Sequence, residues 1–100
     1  MSTRRYASRI SSHQFAAGDL TFNVASSEPI EVCGIHLTNP TGGAIIFSIN
    51  DSDGTLKLTV NVATLGHEWI EVPALWDNGL QIVSDTAAVS AVVFHNSPGN

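Results

Sequence analysis

The feature that most constrains the fold of this chain is an alternation of apolar and polar residues with a period of two. The clearest instance is the stretch TLKLTVNVA, in which polar residues fill one face and four aliphatic residues share the other: Leu56, Leu58, Val60 and Val62. Because successive side chains of an extended strand point to opposite faces, this pattern predicts a half-buried β-strand. No stretch shows the three-four-seven spacing of an amphipathic helix, so the sequence predicts an all-β protein.

Turn residues divide the alternating stretches into short strands. The segment NDSDG contains an Asp-Gly turn in which Gly54 can adopt a positive φ, and this predicts a hairpin. The segment NPTGG at residues 39–43 predicts a second turn, and PALWDNG at residues 73–79 predicts a loop. A phase slip at Cys33-Gly34 predicts a bulge or bend. About seven short strands without crossover helices predict a single antiparallel β-sandwich or jelly-roll-like domain.

The length and composition place limits on the class of protein. One hundred residues suffice for one domain with its own core. Cys33 is the sole cysteine, which excludes an intrachain disulfide and favours folding in a reducing cytoplasm. The apolar residues Ile10, Phe15 and Leu20 stand apart from one another, so we expect no signal peptide. No apolar run approaches the roughly 20 residues of a membrane span, and we expect a soluble protein without a membrane partner.

The first 14 residues predict an extended basic arm that precedes a sandwich domain at residues 15–100. The arm holds three of the four basic residues of the chain: Arg4, Arg5 and Arg9. A terminus of this kind either frays as a soluble leader or docks on another surface. The presence of Tyr6 and Ile10 favours docking. Since arginine forms bidentate pairs with carboxylates, we expect these five residues to form an interface with an acidic surface.

Charge is divided unequally between the arm and the domain. Residues 1–9 carry +3, whereas residues 10–100 carry one Lys against nine Asp and Glu, or −8, and the two parts give the net charge of −5. Nucleic-acid binding requires clustered Lys and Arg. We therefore expect no nucleic-acid partner.

The chain is also poor in charged residues overall. Only 13% of residues are charged while 43% are hydrophobic, whereas a well-behaved monomeric surface is about 25 to 35% charged. Either Ser, Thr and Asn residues solvate the surface, or part of it is buried between subunits or against a larger assembly. We favour burial and expect a homo-oligomer.

No cluster of residues predicts a catalytic, metal or cofactor site. Cys33 and His36 form a C-x-x-H pair, but on a regular strand they point to opposite faces, and a zinc site requires four ligands. The segment NDSDG is similar to the start of a calcium loop, yet position 62 is Val where the bidentate Glu belongs, and a hairpin turn explains the same residues. The histidines and carboxylates match no nucleophilic or glycosidase arrangement, so we expect no enzymatic activity.

Trp69 and Trp76 are candidate interface or ligand-binding residues. Trp69 lies in EWIEV on the face opposite Ile70 and Val72, so it points outward if those two residues point inward. Trp76 lies in the predicted PALWDNG loop. Each tryptophan either caps an end of the sandwich, anchors a protein interface or stacks against a sugar ring.

Two stretches, in this order, resemble a known class of proteins: LTNPTGGAIIFSINDSDGTLKLTVNVA and EWIEVPALWDNGLQIVSDTAAVSAVVFH. Over roughly residues 30 to 95, the chain resembles the small β-sandwich proteins of tailed-phage virions. In these, a strand ending in Asn precedes a hairpin with an Asp-Gly turn, and a P-x-x-x-x-N-G-L segment precedes two terminal strands. The resemblance implies a capsid cement or decoration protein that binds the shell as a homo-oligomer, often a trimer, with N-terminal arms that reach neighbours.

The same resemblance implies a location and a partner. We expect the protein in the virion, assembled in the host cytoplasm, with the major capsid protein or another virion protein as its partner and with no cofactor. Two alternatives stay open. The first alternative is a tail or fibre component of a virion. The second is a lectin-like carbohydrate-binding module that relies on Trp69 or Trp76.

Overall fold

The chain forms two antiparallel β-sheets that pack face to face. A computed structural model of the protein describes residues 6–25, 28–71, 74–76 and 78–98. These residues contain nine strands: β1 (Tyr6–Gln14), β2 (Thr21–Val24), β3 (Ile30–Asn39), β4 (Ile45–Asp51), β5 (Leu56–Val62), β6 (Gly66–Ile70), β7 (Ala74–Trp76), β8 (Leu80–Ser84) and β9 (Ser90–Pro98). The predicted antiparallel β-sandwich is confirmed.

The strand order defines the two layers. Sheet A has the order β1-β9-β3-β6, and β7 pairs with the start of β3 on the side that β6 also occupies. Sheet B has the order β2-β8-β4-β5. The two facing sides enclose one apolar core, whose largest fully buried side chains are Phe15, Phe47, Ile30, Leu37, Ile49 and Leu80.

β1 is a strand that the sequence pattern does not predict. It pairs antiparallel with β9 over its whole length of nine residues. Its inward side chains are polar: Ser11 Oγ lies 2.9 Å from His95 Nε2, and the His13 ring stacks on the Phe22 ring with centroids 5.2 Å apart. Because inward positions hold Ser and His instead of aliphatic residues, no apolar alternation marks this strand.

β3 contains the bulge that the phase slip at Cys33-Gly34 predicts. Val32 lies opposite His95 and Gly34 lies opposite Phe94, so Cys33 is an extra residue in β3 relative to β9. A bulge leaves two residues of one strand opposite one residue of its partner and increases the local twist. The predicted bulge at Cys33-Gly34 is therefore confirmed, and the alternation of inward and outward side chains in β3 shifts by one residue there.

This bulge overturns one geometric expectation. On a regular strand, Cys33 and His36 would point to opposite faces, but the extra residue brings both to the outer face of sheet A. Cys33 Sγ accepts a hydrogen bond from Asn96 Nδ2 at 3.5 Å, and His36 lies opposite Val92. Asn96 and Val92 are four residues apart on β9 and so share a face.

β5 departs from the predicted pattern at Lys57. Leu56, rather than Lys57, lies opposite Asn50, so β5 carries a bulge at Lys57 and Leu56 is out of phase with the rest of the strand. The expectation that Leu56 shares one face with the other aliphatic residues is therefore wrong. Only Val62 is fully buried, while Leu56 is 58% and Leu58 is 40% exposed.

The buried Asn39 joins the end of β3 to two turns. Its Nδ2 group donates hydrogen bonds to the backbone oxygens of Gly43 at 2.8 Å, Val62 at 3.1 Å and Ala63 at 3.1 Å. Its Oδ1 atom accepts from the Thr41 amide at 2.9 Å and the Thr41 hydroxyl at 2.6 Å. A buried amide needs such partners to offset its loss of water. The predicted NPTGG turn is held in place by this side chain.

Among the described glycines, Gly79 has the closest neighbouring backbone. Its φ is +83°, and a Cβ there would lie 2.1 Å from the backbone oxygen of Ala25. We expect Gly79→Ala to lower the free energy of unfolding by about 3 kcal/mol or more, because left-handed strain adds to a clash with backbone. Chemical denaturation measures this loss.

Gly18 offers a matched control. Its φ is also +83°, but a Cβ there would meet nothing within 4 Å. Gly18→Ala should therefore cost only about 1 kcal/mol, which is the strain alone. Equal losses in the two variants would contradict the close approach as the cause.

His95 makes stability depend on pH. Burial lowers its pKa below the ordinary value of 6.5, and the nearby Arg9 guanidinium lowers the pKa further. As the pH drops through about 6.5, His95 therefore takes up a proton more readily in the unfolded chain than in the folded chain. Because proton binding then favours the unfolded chain, the free energy of unfolding should fall between about pH 7 and about pH 5. His95→Gln should flatten this slope, whereas His67→Gln, at an exposed position, should retain it. The idea fails if denaturation gives His95→Gln the slope of the parent.

Candidate assembly surface on the outer face of sheet A

Strand pairing brings apolar residues from four strands into line on the outer face of sheet A. Ile10 on β1 lies opposite Phe94 on β9, and Phe94 lies opposite Gly34 on β3. Trp69 on β6 covers Gly34. We call Ile10, Phe94 and Trp69 the outer stripe. It crosses the sheet from one edge to the other.

Trp69 owes its position to the glycine beneath it. Its Cζ2 and Cη2 atoms would lie 2.7 and 2.8 Å from a Cβ at Gly34, so only glycine lets the indole lie this close to the sheet. The Phe94 ring meets the indole edge to face, with centroids 5.3 Å apart and an interplanar angle of 65°. Trp69 nevertheless remains 47% exposed. A large part of the indole is held in place and open to solvent.

Two histidines extend the aromatic surface beside Trp69. The His36 ring lies 6.1 Å from the Trp69 ring and 5.4 Å from the His67 ring, measured between centroids. His36 and His67 lie on neighbouring strands, β3 and β6, on the same outer face. The surface therefore offers flat rings with polar nitrogens at one end.

The other end of the outer stripe borders a groove of about 320 Å³. The groove is lined by Arg9, Ile10, Cys33, Phe94, His95 and Asn96. At its polar side, Asn96 Nδ2 donates to Glu31 Oε1 at 2.8 Å. An apolar depression with a few polar groups at its rim suits the binding of a protruding side chain or a small ligand.

The residues predicted for an N-terminal interface are only partly described. Arg4 and Arg5 lie outside the described residues. Tyr6 begins β1, Arg9 is exposed on β1 opposite His95, and Ile10 is 70% exposed at the end of the outer stripe.

The two tryptophans differ in their environments. Trp69 points outward because Ile70, beside it, lies opposite Ile35 on the inner side of sheet A. Trp76 lies in the short strand β7 opposite Ile30 and packs against the core, partly buried. The predicted loop at residues 73–79 thus contains a strand. Trp69 and Ile10 come together on one face, whereas Trp76 lies on the other side of the sheet.

Sequence reasoning did not select Phe94, although the signal for it was present. In AVVFH, alternation places Phe94 on the face opposite the buried Val93. An aromatic residue in the outward phase is the pattern that marks an exposed stripe. The link between Phe94 and Trp69 depends on the long-range pairing of β9, β3 and β6, which alternation does not report.

The acidic turn between β4 and β5 is built as a hairpin turn. Gly54, with φ of +94°, donates its amide to the Asp51 backbone oxygen at 2.9 Å, as the Asp-Gly signal predicts. Asp53 Oδ1 accepts from the Thr55 amide, and this hydrogen bond is the main cause that lowers the pKa of Asp53. Asp51 lies 3.4 Å from the Lys57 ammonium. Both carboxylates thus have partners within the turn and β5.

The described residues lack a metal-binding cluster and a membrane-spanning helix. They contain no group of three or more His, Cys, Asp or Glu residues close enough to hold a metal ion. No helix in this part of the chain has the length and apolar character needed to cross a bilayer.

Comparisons with known proteins bear on the fold. No protein-family model matches the chain, and no curated protein matches it. Among solved structures, a chain from Bacillus endospore appendages, which form a family of disulfide-linked pili, is 15% identical and superposes with a TM-score of 0.59. That match covers 98% of this chain and 93% of the appendage chain.

Viral proteins are more distant. A chain of the Gx strain of infectious bursal disease virus is 14% identical with a TM-score of 0.36, and the VP2 subviral particle of that virus gives 16% and 0.33. These matches cover 98% and 97% of this chain but 32% of each viral chain, so this chain spans about one third of their length. The appendage chain, at 15% identity and a TM-score of 0.59, shows a likeness of fold alone.

Proposed function

We propose that this protein is a non-enzymatic structural subunit of a virion, of the capsid cement or decoration type, that binds the shell through the outer face of sheet A. The observation that carries the proposal is the outer stripe, in which Trp69 is 47% and Ile10 is 70% exposed. Large exposed apolar residues that form one continuous line mark a surface that another protein covers. The low charge of the whole chain supports the same conclusion.

The composition of the outer stripe suits a protein interface. Aromatic residues are enriched at the centres of interfaces, and a tryptophan in a packed setting is a typical energetic anchor. Trp69 is already fixed by Gly34 and Phe94 before any partner arrives. Little side-chain entropy is therefore lost on binding.

The fold is compatible with a role in repeated assemblies. A pilus chain shares it at a TM-score of 0.59, over nearly the full length of both chains. In a repeated assembly, a weak contact made by each copy of an oligomer becomes strong through effective concentration. We propose a closed homo-oligomer, with the trimer favoured by the virion resemblance, that bridges neighbouring copies of the major capsid protein.

The basic arm would add an electrostatic contact. Because residues 6–14 pair with β9, an arm that reaches a neighbour starts before Tyr6. Arg4 and Arg5 are then its basic residues, and Arg9 is presented on β1. Their partners would be carboxylates of a neighbouring copy or of the shell.

A lectin-like module is the second candidate, and one observation favours it. Trp69 presents a fixed, half-exposed ring, while Glu31 and Asn96 place polar groups beside the groove near Phe94. Flat rings with nearby polar groups also suit a sugar. A tail or fibre component of a virion would use the same surface as a decoration protein, with a different partner.

Removal of the Trp69 ring tests the proposal. Trp69→Ala should weaken binding to particles assembled without this protein at least about tenfold, because a central aromatic anchor contributes about 1.4 kcal/mol or more. Ile46→Ala is the matched control, since Ile46 is 45% exposed on sheet B. Co-sedimentation measures both. If Trp69→Ala retains binding to particles but abolishes binding on a glycan array, the lectin-like function replaces the proposed one.

Neutralising the arm tests its separate contribution. The double variant Arg4→Ser/Arg5→Ser leaves β1 intact, and we expect it to bind particles more weakly at low salt. The difference from the parent should shrink at high salt, because screening already weakens the contact. Identical binding of the variant and the parent at low salt would rule out a role for the arm.

A further inference from the structure

The edges of the two sheets are protected to different degrees. Exposed edge strands invite pairing with other chains, and proteins shorten them, bend them with bulges or place Lys and Pro on them. In sheet B, β2 has only four residues, and β5 carries a bulge at Lys57. In sheet A, one edge consists of two short strands, β6 and β7, and Pro73 lies between them in the sequence. Each of these three edges carries a recognised obstacle to pairing.

The β1 edge is neither short nor bulged and has no Pro or Lys, and Arg9 is its single charged residue. It has nine residues, YASRISSHQ, without Pro or Lys, and its register with β9 is unbroken from end to end. Among the described strands, β9 is the sole partner of β1. A long, regular strand with one open side is a template for another strand.

We infer that β1 pairs antiparallel with β1 of a second copy of this chain around a two-fold axis, which joins two copies of sheet A into one continuous sheet. The inference rests on the proposed function, in that it names the contact by which the subunit self-associates. A strand paired with its own copy gives an isologous contact that closes on itself. Where copies also form trimers through another surface, the same contact links the trimers.

The sequence of β1 selects one register. A two-fold axis perpendicular to the sheet must lie midway between one residue and the same residue of the second copy. Only then do outward side chains face outward side chains across the junction. We name each axis by that residue. Ile10 is the midpoint of Tyr6–Gln14. An axis at Ile10 therefore pairs all nine residues of β1, and any other centre pairs fewer.

Charge favours the same register. An axis at Arg9 would place two guanidinium groups directly opposite each other, and an axis at Ser11 would place Arg9 opposite the partner's His13. Like charges in directly opposite positions destabilise a strand pair. With the axis at Ile10, Arg9 lies opposite the partner's Ser11, and no two cationic side chains are opposed.

This register also covers the most exposed residue of the outer stripe. Ile10 is 70% exposed in the single chain, and in the pair it lies against the partner's Ile10. The two outer stripes then run as one line from Trp69 through Phe94 and Ile10 into the second copy. A double-length apolar surface results on one side of the joined sheets.

A charge at the axis tests the pairing. Ile10→Lys opposes two ammonium groups, so it should halve the solution mass of the protein measured by light scattering. Its melting temperature at low concentration should not change, because Ile10 is largely exposed in the single chain. Thr21→Lys adds the same charge to the exposed edge strand β2 and should retain the parent mass. An unchanged mass for Ile10→Lys overturns the inference.

Disulfide trapping tests the register. In a Cys33→Ser background, Ile10→Cys should cross-link to a dimer under mild oxidation, because the two thiols meet at the axis. Ser12→Cys is the control for cross-linking by random collision. In the proposed register Ser12 lies opposite the partner's Ser8, so the two introduced thiols are four residues apart along the strand. Cross-linking of Ser12→Cys to the same extent as Ile10→Cys overturns the proposed register.

The outcomes separate this inference from the proposed function. Mass and cross-linking are measured without particles, whereas attachment is measured by co-sedimentation. A protein that binds particles through Trp69 but keeps its mass in Ile10→Lys overturns the edge pairing alone. A dimer with the predicted cross-link that fails to bind particles overturns the virion role alone.

Discussion

The bulge at Cys33 and Gly34 is the constraint on which the outer face of sheet A depends. β3 lies between β9 on one side and β6 and β7 on the other, so a bulge within it changes which side chains lie next to each other on both sides. The extra residue sets Gly34 opposite Phe94 and under the Trp69 indole. Any side chain at that point would push the indole away from the sheet. The exposed aromatic surface is thus a consequence of a backbone irregularity and of a glycine that tolerates close contact.

The parts of the fold that were predictable are those that local chemistry determines. Alternation and turn residues identified seven of the strands, and the positive φ of Gly54 and the slip at Cys33-Gly34 were both anticipated correctly. β1 and β7 were not, because their backbone pairing with β9 and β3 compensates for side chains that lack an apolar alternation. The same limit applies to the candidate surface. Trp69 was identified by its phase, whereas its contact with Phe94 arises from pairing between distant segments.

The outer faces of the two sheets present different kinds of uncharged side chain. On sheet B, the amides of Asn23, Gln81 and Asn50 form a ladder across three strands, with hydrogen bonds of 3.3 Å and 3.0 Å. Side chains of this kind provide a polar surface without charge. On sheet A, the corresponding layer is the outer stripe of Ile10, Phe94 and Trp69. Ile46 and Leu56 are also exposed on sheet B, at 45% and 58%. The difference between the faces is therefore in the aromatic rings, because the phenylalanines of the described sheet B strands, Phe22 and Phe47, are buried in the core.

The proposed pairing at the β1 edge would also enlarge the outer face of sheet A. A sandwich buries the inner side of each sheet, so exposed apolar area can lie only on the outer sides. The length of an apolar stripe that crosses a sheet is limited by the number of strands in that sheet. In a single chain, the outer stripe ends at Trp69 on the edge that the two short strands β6 and β7 form. Its other end is Ile10, on the edge that the single long strand β1 forms. Extension of the sheet beyond β1 lengthens the stripe without any change within the domain. The aromatic face would then grow by strand addition, which needs only the backbone groups that β1 leaves open.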